Sequence, residues 1–410
     1  MTRWVFCMAV LFCSLWHTAA ATPKAERLAV LRHGINITGW FRFPVSRNPA
    51  RLASYLSDAA LGDLRLSGFT FVRLAVDPAL ADGQIQRGVL VAAIRRIERA
   101  GLAVVVVPHP VGWALETRAK DRTRLRRFWQ AMAAALRPLN PDLTFPEVVN
   151  EPVFPNDAAG WRGVQQRVLA DIRALLPTNT VVLTGNDWGG IDGLLALVPE
   201  ADPDIVYSFH FYDPAELTSL AAYRSGLDRS ALSRLPFPVR GPAACATIAY
   251  RSPDAATRDL MRLYCTSGWT KDRLVARIEQ AADWARRHQV ALLAGEFGAS
   301  AALNRESRLA WLSTVRDACE AHGIGWALWG YDDVMGFDVK RPPPPKASLD
   351  RDVLRALGLR ASEQARVSDG RDGRNGNIAA AVPGAGSVPL SVMTPGELGS
   401  RGGRRLGELR

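Results

Sequence analysis

Residues 291–300 read A-L-L-A-G-E-F-G-A-S. Four apolar residues run into Gly295, and Glu296 follows. A short apolar run bounded by glycine is the pattern of a strand buried on both faces. A carboxylate at the end of such a strand sits where a buried sheet opens to solvent. Residues 145–152, F-P-E-V-V-N-E-P, end the same way at Glu151. Taken singly, each is an ordinary strand-end glutamate facing water. The fold and the chemistry both turn on whether the chain carries these two strand ends to one place.

Outward from this stretch the same kind of run recurs, at 34–39, 69–76, 103–108, 144–149, 181–184, 205–211, 291–297 and 325–331. Amphipathic segments lie between the runs. Leu90, Ala93, Ile94 and Ile97 repeat at helical spacing, as do Leu274, Ile278, Ala281 and Ala285. The same period links Leu309, Leu312, Val315 and Cys319, then Trp129, Ala133 and Leu136, then Val164, Val168, Ile172 and Leu175. This is the spacing of one buried helix face. Alternating strands and helices imply parallel strands joined by crossover helices, and eight such units predict a (β/α)₈ barrel. An open doubly wound sheet is the alternative. It carries a glycine-rich first turn that cradles phosphate, whereas the first turn here is I-T-G-W-F-R-F-P.

Residues 1–21 read as a cleaved secretory signal peptide: Arg3, an apolar core too short to span a bilayer, then T-A-A-A. Export to the periplasm or outside the cell is therefore expected, without stable membrane insertion. The barrel is assigned to 22–359. Residues 213–270 are long for a strand-to-helix connection and read as an insertion after strand six, over the active face. Residues 360–410 are rich in Gly, Arg and Ser, lack aromatic side chains, and read as a disordered basic tail. Of five cysteines, Cys7 and Cys13 leave with the signal. Cys245 and Cys265 share the insertion and are the favoured pair, leaving Cys319 as a buried thiol on a helix face. The net charge of +11 is spread over helix faces and the tail with no aromatic-interleaved stripe, so nucleic-acid binding is not expected. No exposed apolar helix face stands out, and a monomer is expected. No Cys/His spacing suggests zinc.

In a (β/α)₈ barrel the active site forms at the carboxyl ends of the strands. The polar and aromatic residues there are Arg73 in strand two, His109 after strand three, and Asn150 and Glu151 after strand four. Asn186, Asp187 and Trp188 follow strand five, His210 and Tyr212 close strand six, and Glu296 closes strand seven. Trp326, Trp329 and Tyr331 come from strand eight. Exposure alone does not call for His, Tyr and Trp together on one rim. Two glutamates across a barrel mouth, ringed by aromatic faces on which sugars stack, suit cleavage of a glycosidic bond by a proton donor and a nucleophile.

These motifs, G-I-N-I-T-G-W, F-V-R-L, V-V-P-H-P, V-V-N-E-P, S-F-H-F-Y-D-P, A-G-E-F-G and W-A-L-W-G-Y, run in order from Gly34 to Tyr331. In this the chain resembles glycoside hydrolase family 5, the cellulase-like retaining barrels. The resemblance implies that Glu151 is the general acid/base and Glu296 the nucleophile, held charged by Arg73 and Tyr212. It implies that Asn150 binds the sugar 2-hydroxyl, that His210 helps cycle the acid's proton, and that His109 contacts sugar hydroxyls. Trp329 would lie under the reacting sugar, with Trp326 turned into the barrel wall. Trp40, Trp113 and Trp188 are candidate outer stacking platforms. The family pattern asks for no metal or organic cofactor, and the expected partner is a β-linked polysaccharide or oligosaccharide. A non-catalytic carbohydrate-binding barrel, a transglycosylase on the same scaffold, and a metal-dependent hydrolase of another bond are the competing readings.

Overall fold

The structure, a computed structural model, describes residues 23–361. The expected signal peptide and nearly all of the expected tail lie outside the described residues. Arg360, counted with the tail, is joined to the domain by its backbone N–H, which donates to Ser67 O at 3.1 Å.

Eight strands form the sheet: β1 His33–Phe41, β2 Phe71–Val76, β3 Ala103–Pro108, β4 Thr144–Pro146, β5 Val181–Thr184, β6 Ile205–Phe211, β7 Ala291–Phe297 and β8 Gly325–Leu328. Their order is β4-β3-β2-β1-β8-β7-β6-β5, and every pairing is parallel. A parallel bridge between Glu147 and Val182 joins the two ends of that order, which makes the sheet a (β/α)₈ barrel. The fourth strand is shorter than the apolar run 144–149, because Pro146 has no N–H to give the ladder. Beyond it the chain bonds alternately to both neighbours. Glu147 N–H donates to Val106 O at 2.9 Å and Val148 N–H to Val182 O at 3.1 Å, while Trp129 Nε1 in the flanking helix caps Val148 O at 2.7 Å. Run 325–331 also stops early, at Leu328, before the cis peptide between Trp329 and Gly330.

Two apolar layers result. Between ring and helices lie the faces read from the periodicity: Leu90, Ala93, Ile94 and Ile97 are buried in helix Gln84–Arg99, and Leu274, Ile278, Ala281 and Ala285 in helix Lys271–His288. Inside the ring, at the amino ends of the strands, Phe71, Val105, Phe145, Val182, Val206, Leu293 and Ala327 pack together. Gly34 is required there, since a Cβ at this position would stand 2.2 Å from the Phe71 ring. The barrel floor is therefore solid, and side chains one step further along each strand stand on it.

The insertion is more ordered than its sequence suggests. It holds helices Ala215–Thr218, Arg229–Leu232, Pro242–Ala249 and Ala255–Ser267, with a Cys245–Cys265 disulfide joining the last two. Asp228 and Asp254 cap two of these helices, a signal visible in the sequence. The insertion docks on the segment after β7: Ser300 N–H donates to Thr218 O at 2.7 Å and Asn304 N–H to Ser233 O at 2.8 Å. Cys319 is a buried free thiol, and no helix among the described residues is long and apolar enough to cross a membrane.

Candidate active site

Above the apolar floor comes a polar layer built on Arg73, which is fully buried. Alternation along β2 turns Phe71 and Arg73 to the same inner face. The guanidinium uses all five N–H groups. Nε and Nη2 reach the two oxygens of Glu147 at 2.7 and 2.8 Å, and Nη2 also reaches Asn150 Oδ1 at 2.9 Å. Nη1 reaches Glu296 Oε1 at 2.6 Å and Asn36 Oδ1 at 2.9 Å. Burial acts to lower the Arg73 pKa, but the charges of Glu147 and Glu296 overcome it and raise it, so the cation is permanent.

Glu296 owes its aim to an irregularity. Phe209 pairs with Ala294, but the next residue, His210, pairs with Glu296, so β7 holds one extra residue, Gly295. Such a bulge redirects the side chains that follow it. A Cβ on Gly295 would stand 2.5 Å from Ser208 Oγ, and its carbonyl accepts from Asn36 Nδ2 at 3.1 Å. Glu296 is buried, and Tyr212 OH donates to its Oε2 at 2.9 Å. Burial drives the Tyr212 pKa well above its ordinary value, so it is always a donor.

Glu151 stands across the mouth with a backbone φ of 42°, a left-handed conformation that is strained for glutamate. Its Oε1 is 3.0 Å from His210 Nδ1, and the same nitrogen is 3.4 Å from Glu296 Oε2. One oxygen of each glutamate and one His210 nitrogen all lie within 4.8 Å of one another. These three side chains form a group that could also hold a metal ion. Arg73 already supplies a cation to Glu296 at 2.6 Å and competes with an ion for that charge.

The three ionisable groups titrate together. Burial raises the Glu296 pKa, against the pull of His210 and Arg73. Burial also acts to raise Glu151, but the hydrogen bond and charge of His210 outweigh it and hold this carboxyl below its usual range. His210 would be lowered by burial, yet the charges of Glu296 and Glu151 raise it above the ordinary histidine value. The proton of the free site thus belongs to the His210–Glu151 unit and not to either residue alone.

His109 Nε2 is 2.8 Å from Asn150 Nδ2. Because Asn150 Oδ1 faces Arg73, its amide nitrogen must face His109, so Nε2 accepts and the histidine proton sits on Nδ1. That atom is buried and has no partner in the protein. Burial, then the charges of Arg42 and Arg73, hold His109 well below its ordinary pKa, so the ring is neutral. Trp329 lies 5.8 Å from the His109 ring, centroid to centroid.

Arg73, His109, Asn150, Glu151, His210, Tyr212, Glu296 and Trp329 are thus brought to one mouth. The outer tryptophans divide. Trp40 is not a platform: it is fully buried outside the ring, donates from Nε1 to Leu52 O at 2.7 Å and packs on Phe41 and Tyr55. Simple alternation would put Trp40 on the face of Asn36 and Thr38, but the register of β1 against β2 shifts between Ile37 and Phe41, and past that irregularity Trp40 faces the helix layer. Trp113 is partly buried, and the Arg124 guanidinium covers one face at 4.5 Å. Trp188 is 40% exposed at the rim. It lies in a run of three left-handed residues, Asp187, Trp188 and Gly189, with φ of 60°, 54° and 67°. Trp326 is buried in the wall against His33. Glu147 and Asn36 were not among the residues read from strand ends. Both are polar residues inside apolar runs, at the inward parity set by Phe145 and Gly34.

A parallel barrel with two carboxylates and an arginine at its carboxyl mouth defines the class as a glycosidic barrel hydrolase. Residues 48–333 match the family model described as cellulase, glycosyl hydrolase family 5. The chain belongs to that family. It is 25% identical to endoglucanase 3 of Fibrobacter succinogenes over 341 residues, covering 75% of this chain and 51% of that protein. It is 24% identical to endoglucanase C of Acetivibrio thermocellus over 323 residues, covering 75% and 92%. The endoglucanase Cel5A structure from Thermotoga maritima shares the fold with a TM-score of 0.65 at 21% identity, covering 81% of this chain and 98% of that one.

Proposed function

We propose that this family 5 hydrolase is an exported, monomeric, retaining endo-β-glucanase that works by double displacement. The observation that carries the reading is the approach of Glu151 and Glu296 within 4.8 Å, with His210 between them and Arg73 and Tyr212 on Glu296. Retaining glycosidases keep their carboxyl groups about 5–5.5 Å apart, while inverting enzymes leave room for a water between them. The endoglucanase relatives support a β-linked glucan as substrate.

In the first step a Glu296 oxygen attacks the anomeric carbon and the bond to the leaving oxygen breaks. Glu151 protonates that oxygen, giving a glycosyl ester on Glu296 and a free alcohol. In the second step Glu151, now a carboxylate, takes a proton from water. The water oxygen attacks the anomeric carbon and the ester bond breaks. Arg73 and Tyr212 hold Glu296 as an oriented anion before attack and receive it as a leaving group afterwards. Asn150 Nδ2, oriented by His109 Nε2, offers a hydrogen bond to a sugar hydroxyl, Trp329 the stacking face beneath the reacting ring, and Trp188 an outer platform. A non-catalytic binding barrel would need neither the saturated Arg73 network nor the strained backbone at Glu151.

Replacing Glu151 by Gln tests the two-step course. With a dinitrophenyl β-cellobioside the leaving group needs no proton, but the second step loses its base, a loss of about 10²- to 10⁴-fold. The expected result is a burst of one equivalent of dinitrophenol, a slow steady rate, and a glycosyl ester on Glu296 seen by mass spectrometry. A burst-free variant whose residual product is the α-anomer would sink the mechanism. Adding an acceptor sugar to the burst experiment separates hydrolysis from transglycosylation.

The wild-type pH profile of kcat/KM follows from the same charges. Glu296 must be ionised, so the acid limb lies above the ordinary carboxyl value of 4.5. The His210–Glu151 unit must hold its proton, so the alkaline limb lies above the ordinary histidine value of 6.5. In His210→Asn the proton rests on a carboxyl alone, and the alkaline limb is expected to move down by about one unit or more. An alkaline limb that stays put would show that His210 takes no part in it.

A further inference from the structure

Among the described residues, one cation at the mouth has no hydrogen-bond or ion-pair partner. Arg42 follows β1 directly. Its guanidinium carbon stands 4.2 Å from the centroid of the Phe43 ring and 6.0 Å from that of Trp329. Arg42 Nε is buried without a hydrogen-bond partner, and among the described residues no carboxylate is in ion-pair contact with the side chain. The neighbouring charges are engaged elsewhere. Arg73 is matched by Glu147 and Glu296, His210 lies against Glu151, and Asp333 lies 3.7 Å from Arg341 Nη2. Burial pulls the Arg42 pKa down to about 10, although Glu296 and Glu151 act to raise it. The group is still charged at neutral pH.

The location of Arg42 says which part of a substrate it meets. Glu151 and His210 stand at β4 and β6, where the leaving group departs. Arg42 and Trp329 stand at β1 and β8, neighbours in the sheet and across the mouth from Glu151. Arg42 therefore borders the glycone, the part that stays on the enzyme as the ester. When that ester forms, Glu296 loses its charge, and Arg42 loses the attraction of its largest nearby anion. A neutral sugar also strips water from this guanidinium without replacing the charge. A carboxylate on the glycone supplies both a counter-charge and paired acceptors for the planar fork.

We propose that Arg42 recognises a carboxylate on a glycone sugar, so that the preferred substrate is a β-glucan bearing acidic units rather than a neutral one. This rests on the reading of the protein as a retaining β-glucanase. The test compares aryl β-cellobioside with two acidic forms, one carrying a C6 carboxylate on the terminal sugar and one on the sugar next to the aryl group. For wild-type enzyme, kcat/KM for at least one acidic form exceeds that for the neutral form, by about tenfold for one charge-assisted pair. In Arg42→Gln the acidic-to-neutral ratio falls to about one or below, and Arg42→Lys keeps part of it, because the charge remains and the fork does not. The ratio is taken within each variant, so a loss of folded protein cancels. A wild-type ratio at or below one for both acidic forms overturns the proposal, as does a ratio that Arg42→Gln leaves unmoved. Turnover of none of the three substrates by wild-type enzyme sinks the underlying glucanase reading, and this proposal with it.

Discussion

Glu296→Ala is expected to lower kcat on an aryl β-cellobioside by about 10⁴-fold or more, the scale seen when a covalent nucleophile is removed. The protein is expected to stay folded, because Arg73 keeps its two bonds to Glu147 and its bonds to Asn36 and Asn150. Azide should restore turnover, and the product tells the two glutamates apart. In Glu296→Ala the azide enters the space left by the carboxylate and attacks from that face, while Glu151 still protonates the leaving group. One displacement inverts the centre, so the product is the α-glycosyl azide. In Glu151→Ala the ester on Glu296 still forms, and azide then attacks from the opposite face; two displacements give the β-glycosyl azide. The assignment rests on surroundings that differ. Glu296 is buried between Arg73 and Tyr212 and has no route to exchange its proton except through the site. Glu151 is the more exposed of the two, with a side chain 29% accessible beside His210. A β-azide from Glu296→Ala and an α-azide from Glu151→Ala would reverse the roles.

Much of this site was legible because parallel barrels separate their signals. Strands such as A-V-V-V-V-P are buried on both faces, so a polar residue at their end stands out, and Glu151, His210 and Glu296 were found that way. What escaped lay where two rules overlap. Glu147 is one residue past a strand that Pro146 cuts short, and Asn36 is in mid-strand, so a search of strand ends passes over both. Alternation from Phe145 and Gly34 would have turned them inward, onto Arg73. Trp40 was misjudged for a different reason: it shares the parity of Asn36, and a register shift between Ile37 and Phe41, which no residue type in the stretch announces, turns it to the helix layer. The insertion looked irregular because helices Ala215–Thr218 and Arg229–Leu232 are a single turn each and show no period, although Leu260, Met261 and Tyr264 in helix Ala255–Ser267 do repeat at helical spacing. The bulge at Gly295 had no sequence signal beyond the glycine. Yet it decides that Glu296, and not its neighbour, faces the cleft.

Glu147 carries the second large effect, and it separates stability from chemistry. Glu147→Ala removes the bidentate partner of a fully buried guanidinium. Breaking a buried ion pair from one side costs about 3–5 kcal/mol, because the remaining charge is left without compensation. Chemical denaturation should show that loss, together with a fall in activity as Arg73 shifts toward Glu296. Glu147→Gln keeps the shape and the acceptor oxygen but not the charge, so a smaller loss of stability is expected. Its pH profile is the sharper readout. With Glu147 neutral, the Arg73 charge falls on Glu296 alone and favours its anion. The acid limb of kcat/KM should then move to lower pH, while the alkaline limb, set by His210 and Glu151, stays. The double variant Glu147→Leu with Arg73→Met removes both charges at once. Replacing a buried pair by apolar groups is often neutral or stabilising, but Arg73→Met also takes the donor from Glu296, Asn36 and Asn150, so the double variant should regain only part of the stability lost in Glu147→Ala and none of the activity. Recovery of turnover along with stability would mean that the pair is scaffold only, and that Glu296 does not depend on Arg73 for its charge or its aim.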